Sequence, residues 1–168
     1  MKRVLMLGPP GSGKGTQGER LARALGVEHI SSGELLREAV AAGTPLGHEV
    51  RDEMAAGRLV PDALVAEAVR PALARRDGYV LDGFPRKLSQ TDGVDFDAVV
   101  HLDVPEREVV RRLLERGRSD DTEEVIAERL REYNDDTLPL LDHYRDVVVE
   151  VDADRGVDEI AADLRERV

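Results

Sequence analysis

Short apolar runs alternate with longer amphipathic stretches along the 168 residues of the chain. Five runs bounded by glycine, proline or acidic residues are typical of buried strands, and they cover residues 3–7, 27–30, 79–81, 98–102 and 147–151. Seven stretches carry apolar residues at three- and four-residue spacing, which predicts helices over residues 17–25, 34–42, 46–56, 62–75, 107–115, 123–133 and 157–167. This alternation predicts an α/β fold in which helices cover both faces of a five-stranded parallel sheet.

The connection between residues 30 and 79 is longer than a single crossover requires, and its pattern predicts about three helices. Residues that cap, start or stop helices mark the boundaries: Thr44 with Pro45, Gly57, and Pro61 with Asp62. Pro71 is expected to kink or break the last of these helices. Because parallel sheets bind ligands at the carboxyl ends of their strands, this insertion is a candidate substrate-binding flap, with a purely structural addition as the alternative.

Composition excludes several kinds of site. The sequence has no Cys, which excludes disulfides, thiolate zinc sites, iron–sulfur clusters and cysteine nucleophiles, and its four His residues form no ligand-spaced pair. The net charge of -11 argues against a broad nucleic-acid contact, so no nucleic-acid partner is expected and any anion site must be local. The first apolar run is too short for a signal peptide or a membrane span. We expect a cytoplasmic protein without a membrane partner, and a monomer.

A glycine-rich turn follows the first predicted strand. Residues 8–17 read GPPGSGKGTQ and precede an amphipathic helix, which is the setting of the phosphate-binding pattern G-x-x-x-x-G-K. Glycines let backbone N–H groups approach an anion, the helix start adds its dipole, and Lys14 supplies a positive charge. A chance turn would explain the glycines but not this lysine, in a chain whose other lysines are Lys2 and Lys87. The predicted phosphate ligands are Gly11, Ser12, Gly13, Lys14, Gly15 and Thr16.

The hydroxyl of Thr16 comes one residue later than in the common form of this pattern, because Gly15 follows Lys14. The loop therefore resembles the GxPGSGKGTQ loop of adenylate kinases and their nucleoside monophosphate kinase relatives. Four more segments are similar to elements of that family in the same order: SSGELLR at 31–37, GRLVPD at 57–62, DGFPRKLSQ at 82–90 and RGRSDD at 116–121. The resemblance extends over essentially the whole chain.

This resemblance implies one P-loop NTPase-type kinase domain over residues 1–168. A helical insertion that binds the nucleoside monophosphate would occupy residues 31–60, and residues 117–121 would be a minimal lid, shorter than in the short-lid members. The implied reaction is reversible, Mg²⁺-dependent transfer of a phosphoryl group from ATP to AMP, which yields two ADP and maintains the balance of adenine nucleotides. The implied partners are the small molecules ATP, AMP and ADP.

Arginines dominate the implied site, because phosphoryl transfer between two nucleotides gathers many negative oxygens. A guanidinium can hold a phosphate through two parallel hydrogen bonds, and the Gln90 amide offers adenine a donor and an acceptor. By resemblance the ATP side adds Arg112, Arg116 and the backbone of Arg155 to the loop, and the catalytic groups are Lys14, Arg86, Arg116, Arg118 and Arg129. The implied AMP site consists of Ser32, Arg37, Arg58, Leu59, Val60, Gly83, Phe84, Pro85, Arg86, Gln90, Arg118 and Arg129.

Asp82 ends a predicted buried strand near the loop, where a carboxylate can hold a water of bound Mg²⁺. No cage of protein ligands is visible in the sequence, so the magnesium is expected to enter with ATP, and no zinc is expected. Glu34 stands where the family usually has Asp, which leaves its role near the magnesium open. Asp121 with Glu124 is interpreted as a helix N-cap and its partner three residues later.

Other interpretations stay open at this point. Arg112 also fits an exposed helix surface. A kinase of CMP, UMP or another small molecule is opposed by Gln90 and Ser32, since pyrimidine-specific relatives tend to carry Asn and Ala there. A nucleotide-dependent switch is opposed by the missing GK[ST] hydroxyl and by the DGFPR turn at 82–86, for which a switch has no use.

Overall fold

The computed structural model describes residues 2–55, 58, 60–117 and 121–168. In these residues parallel strands form a five-stranded sheet: β1 Arg3–Leu7, β2 Glu28–Ser31, β3 Tyr79–Asp82, β4 Ala98–Asp103 and β5 Val148–Asp152. Their order in the sheet is β2-β3-β1-β4-β5. The register pairs Leu5 of β1 with Leu81 on one side and with Val99 on the other. The predicted five-stranded parallel α/β fold is confirmed.

Helices surround this sheet, and their bounds are α1 Lys14–Leu25, α2 Ser32–Ala41, α3 Pro45–Ala55, α4 Asp62–Ala74, α5 Glu106–Arg116, α6 Glu123–Glu132, α7 Pro139–His143 and α8 Val157–Arg167. Leu88–Gln90 forms a 3-10 turn and Tyr133–Thr137 a π-helical turn. Helix α1 starts earlier than predicted, because its first turn consists of polar loop residues without an apolar period. Helix α7 escaped prediction because its 5 residues are too few to show that period. Of the described helices, none has the length and apolarity needed to cross a membrane.

The three central strands of the sheet, β1, β3 and β4, are buried on both faces, as their near-continuous apolar sequences require. Successive residues of β1 point to opposite faces. Val4 and Met6 pack with α1, α5, α6 and α8, whereas Leu5 and Leu7 pack with α4 and α7. Strands β2 and β3 lie on one side of β1, and β4 and β5 lie on the other. Because the segments that connect the strands run to opposite sides of β1, a crevice opens beyond the carboxyl end of β1.

Three helices, α2, α3 and α4, fill the connection between β2 and β3, as predicted. The hydroxyl of Thr44 caps α3, since it accepts a hydrogen bond from Gly47 N at 3.0 Å and donates to Ala39 O at 3.2 Å. Helix α4 begins directly after Pro61, also as predicted. The predicted stop at Gly57 lies outside the described residues.

At Pro71, where a kink or a break is expected, the break does not occur, since α4 runs without interruption from Asp62 to Ala74. A proline inside a helix removes one backbone donor and crowds the preceding turn. Here only the last turn of the helix follows it, and the fully buried Val69 holds that part of α4 against the sheet. Packing therefore outweighs the cost of the proline.

Helices α2 and α3 cross so closely at Gly47 that no side chain fits there. A Cβ on Gly47 would overlap the carbonyl oxygen of Ala39 and lie 2.7 Å from Val40 N. We expect Gly47→Ala to lower the free energy of unfolding by about 1–3 kcal/mol, the usual cost of overpacking. Urea unfolding followed by circular dichroism measures this, with Glu49→Ala on the exposed side of α3 as the control. Equal unfolding free energies for the two variants would contradict the close crossing.

Candidate active site

A cleft of about 530 Å³ opens at the carboxyl ends of the central strands, in the size range of small-molecule sites. Its walls are the glycine loop, helix α2, the start of α4, the turn after β3, helices α5 and α6, and the π-helical turn. The predicted site residues that line it are Gly11, Gly13, Lys14, Gly15, Thr16, Ser32, Arg37, Arg58, Val60, Asp82, Gly83, Pro85, Arg86, Gln90, Arg112, Arg116 and Arg129. The structure therefore brings residues of both predicted nucleotide sites to one cavity.

Some predicted site residues do not line the cleft. Ser12 is buried beneath the loop, and Phe84 is fully buried in the core. The Arg155 guanidinium lies on the surface after β5, where it donates to Asp163 at 2.6 Å and to Asp152 O at 2.9 Å. Its backbone contact with a nucleotide stays a prediction. The predicted site residues Leu59 and Arg118 lie outside the described residues.

The glycine loop joins β1 to α1 and wraps around the ammonium group of Lys14. Gly11 has a φ of +77°, which L side chains rarely adopt, and a Cβ there would lie 2.8 Å from Leu113 Cγ in α5. Lys14 Nζ donates to the carbonyl oxygens of Gly8 and Pro9, both at 2.9 Å. Helix α1 begins at Lys14, so the N–H groups of its first turn face the loop. Backbone donors, helix dipole and ammonium group together are suited to an anion such as phosphate.

The turn after β3 presents Arg86 to the cleft. Gly83 has a φ of +86°, and a Cβ there would overlap Ser32 Oγ at the start of α2, so the close approach requires glycine. Phe84 anchors the turn in the core. Arg86 Nε donates to Gly83 O at 2.9 Å, and Arg86 O accepts from Thr137 Oγ1 at 2.8 Å. The backbone of Arg86 is fixed while its side chain remains exposed.

The Gln90 amide is held by two protein groups. Its Oε1 accepts from Arg86 N at 2.7 Å, and its Nε2 donates to Asp62 Oδ1 at 3.0 Å. Lys87 Nζ lies 3.3 Å from the same carboxylate oxygen. Gln90 is only 6% exposed, and it lines the cleft. The orientation of this amide is therefore set by the protein itself.

Asp121 joins two arginines of the cleft. Its carboxylate accepts from Arg116 Nε at 2.9 Å and Nη2 at 2.7 Å, and from Arg129 Nη1 at 3.2 Å. The predicted capping role of Asp121 with Glu124 is wrong, because Thr122 caps α6 by accepting from Val125 N at 3.3 Å. Two guanidinium groups attract a buried carboxylate more strongly than backbone N–H groups do. Asp121 thus fixes the directions of Arg116 and Arg129.

Sequence reasoning missed the wall that the π-helical turn forms, with Tyr133 and Thr137 in the cleft lining. Tyr133 Oη lies 2.6 Å from His101 Nε2, and His101 Nδ1 lies 2.6 Å from Glu150 Oε2 on β5. A neutral His101 with its proton on Nδ1 satisfies both contacts, since it then donates to Glu150 and accepts from Tyr133. In the sequence, the position of His101 inside an apolar run was the feature that could have indicated a buried polar contact there.

Comparison with known proteins assigns the chain to a family. The family profile described as Adenylate kinase matches residues 6–149. The chain belongs to the adenylate kinase family. The matched range carries the loop, the insertion, the turn after β3 and the π-helical turn, so it includes every wall of the cleft.

Curated relatives named adenylate kinase are similar to the chain over nearly its whole length. The identity is 46% over 172 residues with a protein of Corynebacterium glutamicum, 47% over 170 residues with one of Nocardia farcinica, and 44% over 179 residues with Adenylate kinase 1 of a Nostoc species. These alignments cover 95%, 94% and 98% of this chain, and 95%, 94% and 97% of the relatives. The predicted family is confirmed.

Adenylate kinases generally use nucleotide-bound Mg²⁺, and the cleft offers oxygen atoms that suit this ion. The carboxylate of Asp82 lies beside Gly15, and Thr16 adds a hydroxyl group to the same cavity. Both are hard donors of the kind that Mg²⁺ prefers. Within the described ranges, no group of three His, Cys, Asp or Glu residues could hold a metal ion. The donor set therefore fits a magnesium that keeps phosphate and water ligands.

The surroundings of Lys14 shift the pKa of its amine, so that its charge depends on whether an anion is bound. The pKa of Lys14 is lowered to about 8, mainly by removal from water and in addition by the guanidinium groups of Arg86 and Arg116, while the Asp82 carboxylate opposes the change. A phosphate bound in the loop favours the charged amine. Phosphate binding is therefore coupled to uptake of a proton by Lys14.

The affinity for ATP is expected to fall as the pH rises through about 8. Above this pH the free protein carries a neutral Lys14 that must be protonated on binding, which costs up to about tenfold in Kd for each pH unit. Titration calorimetry from roughly pH 7 to 9.5 measures the affinity, and two buffers of different ionisation enthalpy give the proton uptake. Lys14→Arg stays charged and should remove the dependence. A flat profile in the unmodified protein would contradict the coupling.

Proposed function

We propose that the chain transfers the γ-phosphoryl group of ATP to AMP, reversibly, yielding two ADP and so maintaining the balance of adenine nucleotides. The chain is a phosphotransferase by family. The observation that carries the proposal is that one cleft is lined both by the glycine loop with Lys14 and by Arg86 and Gln90, whose side chains are suited to a second phosphate and to a base. A protein that only hydrolyses a nucleotide has no need for the second set.

The two nucleotides are proposed to occupy different walls. ATP would lie along the loop, with Arg112 and the segment after β5 beside it, since Arg112 Nη2 donates to Ala153 O at 3.0 Å and so connects α5 to that segment. AMP would lie between α2 and the turn after β3, where the proposed ligands are Ser32, Arg37, Arg58, Leu59, Val60, Gly83, Pro85, Arg86 and Gln90. Phe84 would act only as the core anchor of that turn.

The chemical step needs positioning and charge rather than a general base. An oxygen of the AMP phosphate attacks the γ-phosphorus in line, while the bond from that phosphorus to the bridging oxygen of ATP breaks. The attacking oxygen is already ionised, so no proton has to be removed. Lys14, Arg86, Arg116 and Arg129 would stabilise the charge on the phosphoryl oxygens. Because Asp121 orients two of these groups, little reorganisation accompanies the step.

Magnesium would reach the cleft with ATP. When bound, it neutralises part of the phosphate charge. Asp82 and Thr16 are the residues proposed to hold it, through water and phosphate. No zinc is proposed, and the sequence has no Cys to bind it.

Residues 31–60 are proposed to be the AMP-binding insertion, and residues 117–121 a minimal lid that delivers Arg118. We further propose a cytoplasmic monomer that acts on free nucleotides, with no nucleic-acid or membrane partner. These proposals rest on the family and on the order of its motifs along the chain.

A coupled assay with ATP and a panel of acceptors tests the proposed reaction. We expect AMP to be strongly preferred over CMP, UMP and GMP, with dAMP included to test the sugar. Lys14→Ala should reduce turnover by ~10²–10³ while the protein remains folded, because it removes a preorganised donor. Efficient transfer to CMP or UMP, or ATP hydrolysis that needs no acceptor, would contradict the proposal.

Arg118→Ala tests the proposed lid. An arginine that acts in the transition state should lower kcat far more than it weakens AMP binding measured alone. Arg111→Ala is the matched control, because Arg111 lies on the exposed side of α5 and pairs with Glu108 and Glu115. Steady-state kinetics measure kcat, and titration calorimetry measures the affinity for AMP alone. A loss confined to AMP affinity would contradict delivery of Arg118 to the phosphoryl group.

A further inference from the structure

The two partners of the Gln90 amide differ in chemistry. Asp62 offers a carboxylate, which can only accept a hydrogen bond, and Arg86 offers a backbone N–H, which can only donate one. Nε2 must therefore face Asp62, and Oε1 must face Arg86. A reversed amide would bring two acceptors together at Asp62 and two donors together at Arg86. The hydrogen-bond partners thus select one orientation, which is how an amide is assigned.

This orientation determines which purine base the amide can recognise, because 6-aminopurines and 6-oxopurines have opposite patterns of donors and acceptors at N1 and C6. A 6-aminopurine such as adenine presents a donor at N6 and an acceptor at N1, whereas a 6-oxopurine such as hypoxanthine presents an acceptor at O6 and a donor at N1. A primary amide has two N–H donors and two lone pairs on its oxygen. After the bonds to Asp62 and Arg86, one donor and one acceptor of Gln90 remain, and their order along the amide cannot be exchanged.

We propose that Asp62 is a specificity-determining positioning residue: by holding the Gln90 amide in one orientation, it makes the acceptor site select 6-aminopurine over 6-oxopurine monophosphates. This inference rests on the proposed function. Asp62 acts through Gln90 and needs no contact with the base. Its place at the start of α4 puts the carboxylate in front of Gln90 Nε2, with Oδ1 accepting at 3.0 Å.

The energetic argument concerns the cost of the reversed amide. In the unmodified protein, reversal loses two hydrogen bonds and creates two repulsive contacts. Without the carboxylate, reversal loses only the bond to Arg86 N and creates only the repulsive contact there, so a 6-oxopurine can be accepted at a smaller cost. A hydrogen bond to a charged group corresponds to about tenfold or more in an equilibrium constant. The preference for the 6-aminopurine should decrease by about that factor.

The test compares AMP with inosine monophosphate, which differs from AMP only at the edge in question. The quantity measured is the ratio of kcat/KM for the two acceptors, with ATP as the donor. We expect Asp62→Ala to lower this ratio about tenfold, mainly through a higher KM for AMP and a lower KM for inosine monophosphate. Asp62→Asn keeps an oxygen acceptor and should retain most of the preference. Lys87→Ala removes the ion pair but not the bond to Gln90, and should leave the ratio unchanged.

A double-mutant cycle separates this role from a structural one. If Asp62 acts through the amide, Asp62→Ala should change the ratio by less than twofold in a Gln90→Ala background. Urea unfolding of each variant establishes that the compared proteins are folded. A ratio unchanged in Asp62→Ala, an equal loss in Lys87→Ala, or a full effect of Asp62→Ala without Gln90 would each overturn the inference. Failure of the unmodified protein to phosphorylate AMP would instead overturn the proposed function.

Discussion

Mutual repulsion among the positively charged side chains of the cleft is the constraint on which the rest of the site depends. The chain carries a net charge of -11, yet it gathers several positive groups around one cavity. Internal acceptors make this possible: the loop carbonyls for Lys14, the Gly83 carbonyl for Arg86, and the Asp121 carboxylate for Arg116 and Arg129. A charge that is partly removed from water without such a partner would be costly. The directions of these donors are therefore set in part by the protein itself.

The sheet determines which of these groups become neighbours. Strands β1 and β3 are adjacent and parallel, with Met6 opposite Asp82, so the loop after one strand lies beside the turn after the other. Residues far apart in the sequence meet because their strands end at the same edge. The insertion between β2 and β3 can then complete the cavity without contributing to the sheet.

Features with a local signature could be predicted from the sequence, whereas features formed by distant side chains could not. The spacing of glycines before Lys14, the apolar strands and the cap at Thr44 each lie within one short segment. Asp121 was misassigned because a local capping pattern competes with arginines from two helices, and only the folded chain decides between them. The bond from Gln90 to Asp62 and that from His101 to Tyr133 join residues whose own neighbours give no indication of the partner.

Arg86 has both of its backbone polar groups bonded to side chains from other parts of the chain, the N–H to Gln90 and the carbonyl to Thr137. Neither adjoining peptide plane can rotate without losing a hydrogen bond. The direction of the guanidinium then depends on its own side-chain torsions and on the bond from Nε to Gly83 O. A change at residue 90 or 137 would alter the direction of the Arg86 guanidinium rather than its charge. An angular error of this kind persists at saturating substrate, because a higher concentration fills the site but does not realign it.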